Sequence, residues 1–401
     1  MNNKPLSIVS LSGIVVVLCC FLVFPAILFA QSLDLDQIMQ GERFTGFAPS
    51  RIQWSADSRQ VYFEWNPDMD TLASSYQLSI PNGKPVKMAL EDQQKMIPAD
   101  GTYNRSGSQM VFDQSGDLYL WDRTSGVRSI TKTLDRESNP RFSGDEQSIV
   151  FEKDGNLFSW HITTGQWTQL SNLVRGKKRD EPRLAANEEW FQDDQLSMFE
   201  VLQGREATRK AEEKRREALR PKNPEAFYFD NKRVSALQID PNLRFVTFRL
   251  SKPANGKSTQ VPNYVTNSGF TEEIPARQKV GTPQDTYEHW IFDRQRDTFY
   301  QITLTGLEGL KDKPAFLQDY HRDTSAWDPQ YKNVREVIIS APVYSDQGKA
   351  VVTVRSLDNK DRWIALLNPE TAALEQLDRQ RDEAWIGGPG TAVVGERVQD
   401  A

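Results

Sequence analysis

The sequence has 401 residues, of which 38% are hydrophobic and 26% are charged, and a formal net charge of −6. This composition is ordinary for a globular protein, and the length suits either several domains or one large all-β repeat fold. Acidic and basic residues are mixed throughout, so the clustered basic face that nucleic acid requires is missing and we expect no nucleic-acid partner.

The first thirty residues differ in composition from the rest of the sequence. Lys4 precedes an apolar run that extends to Ala30, and the polar chain begins at Gln31. A positive start, an apolar segment and a small residue at its end are typical of a secretory signal peptide. The alternative is a membrane anchor, because about 20 apolar residues can span a bilayer. We therefore expect residues 1–30 to be a signal peptide or an anchor and the protein to be periplasmic or secreted, with the membrane a partner only if the segment is uncleaved.

Both cysteines of the sequence, Cys19 and Cys20, lie inside this apolar segment. Its removal would leave an exported chain without disulfide bonds, whose stability would rest on the burial of apolar groups. The same removal would exclude zinc sites built from cysteine and all thiol chemistry.

A repeat of about 40 residues is the strongest signal for the fold. Residues 103–126 match residues 142–165 at a constant offset of 39. In each copy short apolar strands alternate with turn residues such as Asp154-Gly155, and glycine tolerates the positive φ of a tight hairpin. A repeat of this length with about four short strands predicts one blade of a β-propeller. The matched pairs are Tyr103 with Phe142, Val111 with Val150, Phe112 with Phe151, Gly116 with Gly155, Leu118 with Leu157, Trp121 with Trp160 and Gly126 with Gly165.

Weaker copies extend the pattern along most of the sequence. No single blade can bury both of its faces, so each blade must stack on its neighbours. We therefore predict an all-β fold over residues 31–385, a partial β-propeller of about five blades, each a four-stranded antiparallel sheet. The additional strand-forming segments are 51–63, 75–80, 239–248, 289–302 and 343–367, with 289–302 supplying the outer strands of the blade that starts near 239.

Two segments interrupt the repeat. Residues 185–220 combine helical spacing of apolar residues with a run of mixed charges, and Pro221 ends them. We predict a helical insertion there, either a solvated helix or an arm that contacts a substrate or partner. Residues 251–283 are rich in Pro, Asn, Gly and Ser and predict a long surface loop. The glycine-rich tail, residues 386–401, stays unassigned.

The sequence carries no complete catalytic motif. G-x-S-x-G, H-E-x-x-H, the phosphate-binding loop and an aspartate-rich calcium loop are all missing from it. The histidines are His161, His289 and His321, and the first two flank tryptophans in predicted strands. We expect these two to be packed structural residues, and we expect no catalytic residue, no metal and no cofactor.

Three pairs of adjacent glutamates remain as candidate binding residues: Glu188-Glu189 beside Trp190-Phe191, Glu212-Glu213 and Glu272-Glu273. Paired carboxylates near an aromatic ring can hold the ammonium group of a substrate. The alternative is that these pairs belong to solvated surfaces, where adjacent glutamates are common.

Two stretches of the sequence resemble a known family. One runs from Gly41-Glu42-Arg43-Phe44 through Trp54-Ser55-Ala56-Asp57 to Trp65-Asn66-Pro67, and the other is Asp382-Glu383-Ala384-Trp385-Ile386-Gly387-Gly388. They are similar to bacterial secreted dipeptidyl peptidase IV-like enzymes of the prolyl-oligopeptidase clan of serine peptidases. The resemblance spans about residues 33 to 390.

The resemblance implies a propeller of about seven or eight blades followed by an α/β-hydrolase domain that carries Ser, Asp and His. In such enzymes the propeller gates access, and a pair of glutamates on a projecting segment binds the amino terminus of the substrate, a role that carries over to Glu188 and Glu189. This sequence departs from the family in having about five blades and no hydrolase domain.

Two hypotheses follow for the function. In the first, the chain is the amino-terminal propeller of an exported peptidase, inactive alone, with a peptide substrate or the hydrolase domain as its partner. In the second, it is a stand-alone periplasmic propeller that binds other proteins. Unpaired blade faces would also favour a homo-oligomer.

Overall fold

The computed structural model describes residues 33–55, 58–93, 96–98, 100–178, 186–219, 223–279, 282–312, 334–345 and 347–386. The predicted signal peptide, the predicted glycine-rich tail beyond Ile386 and His321 lie outside these residues. Over the described ranges, no helix has both the length and the apolar character needed to cross a membrane. The chain divides into two compact units, residues 1–99 and 100–401.

The first unit contains one four-stranded sheet, blade 1. Its core is aromatic: Phe63 stacks on Tyr76 at a ring-centroid distance of 6.0 Å, and Trp65 meets Tyr76 edge-on at 5.5 Å. The elements are α1 (Leu35–Met39), α2 (Glu42–Thr45), β1 (Ser50–Trp54), β2 (Gln60–Trp65), β3 (Ser74–Ser79), β4 (Val86–Lys87) and α3 (Leu90–Gln93), with the strands in the order β1-β2-β3-β4.

The second unit contains blades 2 to 5. Blade 2 is β5 (Thr102–Tyr103), β6 (Gln109–Gln114), β7 (Asp117–Asp122) and β8 (Gly126–Ser129); blade 3 is β9 (Glu137–Phe142), β10 (Ser148–Lys153), β11 (Asn156–His161) and β12 (Trp167–Gln169). A parallel pair follows, β13 (Leu173–Val174) and β14 (Phe227–Tyr228). Blade 4 is β15 (Arg233–Ile239), β16 (Phe245–Lys252), β19 (Thr286–Asp293) and β20 (Thr298–Gln301), with the hairpin β17 (Ser258–Asn263) and β18 (Glu272–Gln278) inserted. Blade 5 is β21 (Val337–Ile339), β22 (Val343–Tyr344), β23 (Ala350–Ser356), β24 (Asp361–Asn368) and β25 (Ala373–Arg381), and β21 and β22 both pair with β23.

Blades 2 to 5 stack face to face in chain order. Adjacent residues of a strand point to opposite faces of its sheet, so Phe245 packs toward blade 5 while Val246 packs toward blade 3. Each interface is a cluster of buried apolar residues. Between blades 2 and 3 these are Val111, Leu118, Leu120, Ile149, Phe151 and Trp160. Between blades 3 and 4 they are Val150, Leu157, Leu237, Ile239, Val246, Phe248 and Phe292. Between blades 4 and 5 they are Phe245, Ile291, Val337, Ile339, Val352, Val354, Trp363 and Ala365. Successive stacking of four-stranded antiparallel sheets is the construction of a propeller, and the predicted fold class is confirmed.

The helical insertion consists of α4 (Ala186–Met198) and α5 (Glu200–Leu219), which lie between β13 and β14. The parallel pairing of β13 with β14, in which Leu173 lies opposite Phe227, brings together the two ends of the insertion. None of the described side chains of α5 is buried. On its surface Arg209 forms ion pairs with Glu206 (2.7 Å) and Glu213 (3.2 Å). We call α4 and α5 the arm.

The prediction of a surface loop over residues 251–283 is wrong for much of that segment. The structure has the hairpin β17–β18, in which Val261 lies opposite Ile274. All seven residues of β18 are exposed, so the hairpin has no buried face. Hydrophobic alternation arises only where one face is buried, and this strand pair therefore leaves no alternation in the sequence.

The turns at the ends of β9 and β15 touch. Gly144 N donates to Pro241 O at 2.7 Å, which ties blade 3 to blade 4. A Cβ atom on Gly144 would lie 2.7 Å from Pro241 Cβ and 2.8 Å from Pro241 O, closer than real contacts allow. The glycine is therefore required by the close approach of two blades.

We predict that Gly144→Ala lowers the free energy of unfolding by about 1–3 kcal/mol, because the added methyl group must push the two turns apart. Denaturant unfolding followed by tryptophan fluorescence measures the change. Gly204→Ala in α5 is the matched control, since nothing lies within 4 Å of its Cβ position. The control should leave the stability unchanged or raise it by up to about 1 kcal/mol; equal losses in both variants would contradict the role of the contact.

Candidate functional site

A cavity of about 240 Å³ lies where the first strands of blades 2 to 5 end in their turns. Each of four blades contributes to its wall, which is why the cavity exists only in the stacked propeller. We call it the inner-strand pocket. Its wall includes Thr102 and Tyr103 of blade 2, Arg141, Phe142 and Ser143 of blade 3, Gln238, Ile239 and Asp240 of blade 4, and Tyr344 and Ser345 of blade 5.

Contacts between successive turns fix the wall of the pocket. Arg105 N of blade 2 donates to Glu146 Oε1 of blade 3 at 2.6 Å. The contact between Gly144 and Pro241 continues the series from blade 3 to blade 4. The wall therefore rests on backbone groups, which hold its side chains more rigidly than a free loop would.

Three polar atoms of this wall are enclosed and lack hydrogen-bond partners: Arg141 Nη2, Gln238 Oε1 and the Tyr344 hydroxyl. An enclosed polar atom without a partner costs free energy, and native proteins contain few of them. Their residues line the pocket, but the three atoms themselves have almost no accessible surface.

Burial dominates the electrostatics of the pocket. It lowers the pKa of Arg141 below its ordinary value, against the weaker opposing effects of Glu152 and Tyr344. Burial also raises the pKa of Tyr344 far above its ordinary value, against the opposing effects of Thr247 and Arg141. Neither the Tyr344 hydroxyl nor Thr247 Oγ1 has a partner with hydrogen-bond geometry. Tyr344 is therefore a neutral hydroxyl at physiological pH.

The acidic residues of the wall are already engaged by backbone groups. Asp240 Oδ1 accepts from Arg244 N and Phe245 N, both at 2.6 Å. Glu146 accepts from Arg105 N. Glu152, the carboxylate that acts most on Arg141, accepts from Asn139 Nδ2 at 3.0 Å. Arg141 is thus a desolvated cation on a wall that also carries the carboxylates of Glu146 and Asp240.

Arg141 and Thr102 also line an adjoining cavity of about 330 Å³. Asp100 and Asp113 stand on the wall of that second cavity. Arg141 therefore lies on the walls of two polar cavities.

Glu188 and Glu189, the predicted amine-binding residues, lie in the first turn of α4, where both are exposed. Neither lines the inner-strand pocket. Trp190 and Phe191 follow them with 60% and 58% of their surface exposed, and the two rings meet edge-on at 5.1 Å. Acidic residues in a first turn also stabilise a helix through its dipole, by about 0.3–1 kcal/mol each. The amine-binding role remains a prediction.

Two histidines have structural partners. His161 Nδ1 accepts from Thr163 N and Thr164 N in the turn after β11. His289 Nε2 accepts from Ile339 N at 2.8 Å and joins blade 4 to blade 5. Over the described ranges, His, Cys, Asp and Glu form no group of three that could hold a metal ion.

The pocket residues were missed from the sequence, although a weak signal existed. Arg141 and Gln238 each stand directly before the apolar residue that ends a predicted inner strand, Phe142 and Ile239. Only the stacking of the blades shows that Arg141 and Gln238 share one cavity with Tyr344.

No protein-family model and no curated protein matches the sequence. Among solved structures, the chain is similar to dipeptidyl peptidase 4 of Porphyromonas gingivalis, with 12% identity and a TM-score of 0.41 over 88% of this chain and 43% of that chain. It is also similar to TolB of Acinetobacter baumannii, with 10% identity and a TM-score of 0.30 over 84% of this chain and 55% of that chain. The chain thus spans less than half of the peptidase and just over half of TolB.

We predict that His289 makes stability depend on pH. Burial, helped by nearby Arg249, lowers its pKa from 6.5 to about 4. As the pH falls, the unfolded state therefore binds the proton before the folded state does. The contribution of neutral His289 to the free energy of unfolding is complete above pH 6.5 and is lost as the pH falls toward 4. The loss amounts to roughly 3 kcal/mol.

Urea unfolding of the wild type and of His289→Gln at pH 7 and pH 4.5 checks this. Glutamine keeps an oxygen that can accept from Ile339 N but does not titrate. The variant should lose less stability than the wild type between the two pH values. Equal losses would show that other groups carry the pH dependence.

Proposed function

We propose that this chain is the recognition propeller of an exported serine peptidase of the dipeptidyl peptidase IV type. In this role it binds and orients peptide segments, while an α/β-hydrolase domain outside this sequence cleaves the peptide bond. The observation that carries the proposal is the inner-strand pocket, whose wall of four blades carries polar and charged residues such as Arg141, Gln238 and Asp240. Such a wall suits binding and positioning.

The arm supports the same role. Glu188 and Glu189 present two carboxylates next to the exposed rings of Trp190 and Phe191. An ammonium group gains from charge-assisted hydrogen bonds and from the face of an aromatic ring. The arm would therefore bind the free amino terminus of a peptide, as the sequence resemblance implies. Export follows if residues 1–30 act as a signal peptide.

A stand-alone periplasmic propeller that binds proteins is the second candidate. It is favoured by exposed apolar side chains of the arm, Met198 (66%) and Val201 (66%), and of Phe199 (56%), the residue between its two helices. In that case the arm would contact a folded partner and no peptidase domain would accompany the chain.

The native form of the protein decides between the two candidates. We predict that an antibody to the propeller captures from the source cells a species larger by a hydrolase domain, and that this species reacts with a fluorophosphonate probe for active serines. Intact mass and probe labelling are the measurements. A species of the size of this chain or its cleaved form, inert to the probe, would refute the peptidase role and leave the binding propeller.

The amine site is tested on the chain itself. We predict that Glu188→Gln with Glu189→Gln weakens binding of alanyl-alanine amide by roughly tenfold, because the ammonium group loses its counter-charges. The N-acetylated peptide should bind neither protein, and the matched control is Glu212→Gln with Glu213→Gln in the same arm.

Calorimetry gives the affinities, and circular dichroism separates recognition from a role in the helix dipole. A change in helicity with unchanged affinity would remove these glutamates from the site.

A further inference from the structure

One face of blade 5 repeats the pattern of the faces that the other blades bury against a neighbour. In blades 2 to 5 the turn after the inner strand is closed by a hydrogen bond from the backbone N–H of Gln109, Ser148, Phe245 and Lys349 in turn. The residue two positions later lies opposite a residue of the next strand of the same blade. The resulting pairs are Val111 with Leu120, Val150 with Ser159, Thr247 with Ile291, and Val351 with Leu366. These four pairs occupy one structural position.

Burial separates the first three pairs from the fourth. Val111, Val150 and Thr247 are 0%, 1% and 3% exposed, and their partner residues are also buried. These pairs lie on the face that packs against the following blade. Val351 and Leu366 of blade 5 are both partly exposed, and no blade follows them among the described residues. Blade 5 therefore presents an apolar stacking position without its sheet.

The neighbours of this pair extend the apolar surface. Directly opposite residues of antiparallel strands point to the same face, so Thr353 and Ile364 share a face with Val351 and Leu366. All four are partly exposed, and Leu377 of β25 is 54% exposed beside them. We call the surface formed by these five residues the outer face of blade 5.

Exposed charges of opposite sign border the outer face on its two sides. Arg355 lies on β23, whereas Glu375 and Asp378 lie on β25, with β24 between the two strands. A two-fold axis parallel to the strands places β23 of one chain over β25 of a second copy. Each Arg355 then meets the carboxylates of the other copy, so the face is complementary to itself in charge.

The size of a blade limits what else in this sequence could cover the outer face. Blade 2, the smallest described blade, uses residues 102–129. The segments 313–333 and 387–401, which lie outside the described residues, are each shorter than that. Neither segment is long enough to supply a further blade of this kind.

We propose that the outer face of blade 5 packs against the same face of a second copy of this chain, around a two-fold axis parallel to the strands. Face-to-face packing of two sheets would bury the apolar residues at the position where blades 2 to 4 bury theirs. This inference goes beyond the proposed function, because it assigns a partner to a surface that includes neither the inner-strand pocket nor the arm.

Sedimentation velocity of the full chain over about a hundredfold range of concentration tests the proposal, since mass action makes the dimer fraction rise with concentration. Leu377→Lys should weaken dimerisation by roughly tenfold or more, because the interface would have to desolvate a charge. Leu134→Lys is the matched control. Leu134 is fully exposed in the connection between blades 2 and 3, and its substitution should leave the dimer unchanged.

Charge exchange tests the direction of the packing with exposed residues, whose substitution should leave the fold intact. Arg355→Glu alone, and Glu375→Arg with Asp378→Arg alone, should each be mainly monomeric, because like charges then meet across the axis. An equimolar mixture of the two variants should form a dimer of one chain of each kind. Lys132→Glu, at an exposed position away from this face, is the control and should dimerise like the wild type.

Several results would overturn the proposal: a monomer at every concentration, a dimer that Leu377→Lys leaves unchanged, or no recovery of the dimer in the mixture. A native species that is longer than this chain and monomeric would assign the face to its additional residues and overturn the proposal too. A dimer of this chain that is inert to the serine probe would support the interface while removing the peptidase role, so the two failures are distinguishable.

Discussion

The propeller depends on one hydrogen bond that is repeated in every blade. The first residue after each inner strand turns its side-chain oxygen back to accept a backbone N–H at the start of the next strand. The bonds are Ser55 Oγ with Gln60 N (2.9 Å), Asn104 Oδ1 with Gln109 N (3.0 Å), Ser143 Oγ with Ser148 N (3.0 Å), Asp240 Oδ1 with Phe245 N (2.6 Å) and Ser345 Oγ with Lys349 N (3.2 Å). Short polar side chains favour turns because they make such local bonds. Each bond fixes where the second strand begins and hence which residues of the blade face each neighbour.

This turn explains why the fold could be predicted from the sequence. Aromatic or apolar residues followed by Ser, Asn or Asp mark the end of each inner strand, and the hairpin glycines Gly116 and Gly155 mark the next turn. Even the outer strands of blade 4 could be placed across the long excursion, since 289–302 keeps the pattern of apolar strands. The hairpin β17–β18 was missed because its exposed faces carry no alternation. The site was missed because Arg141, Gln238 and Tyr344 are far apart in the chain and meet only when the blades stack.

The stacking of the blades also determines which strand residues are buried and which are exposed. Blade 3 has neighbours on both faces, and Ile149, Val150 and Phe151 of its second strand are all buried in succession. In blade 5, β24 alternates between buried residues, such as Trp363 and Ala365, and partly exposed ones. A strand covered on both faces carries mostly apolar side chains, whereas the strand ends and turns carry more polar ones. The inner-strand pocket and the arm both lie in these regions, at the turns, the inner strand ends and the insertions.

Elsewhere in the second unit, fully buried acids are paired. Asp361 accepts from Arg335 at 2.7 Å and from Arg381 at 3.0 Å, Asp293 contacts Arg244 at 3.0 Å, and Glu137 contacts Lys153 at 3.0 Å.

These pairs show how this fold treats buried charge that serves structure: each charge has an opposite charge within hydrogen-bond distance, which limits the penalty of burial. Arg141 and Arg294 depart from that rule, since burial lowers the pKa of each and one enclosed nitrogen of each, Nη2 and Nε, has no protein partner. In this fold the fully buried acids therefore follow the pairing rule, whereas these two arginines do not.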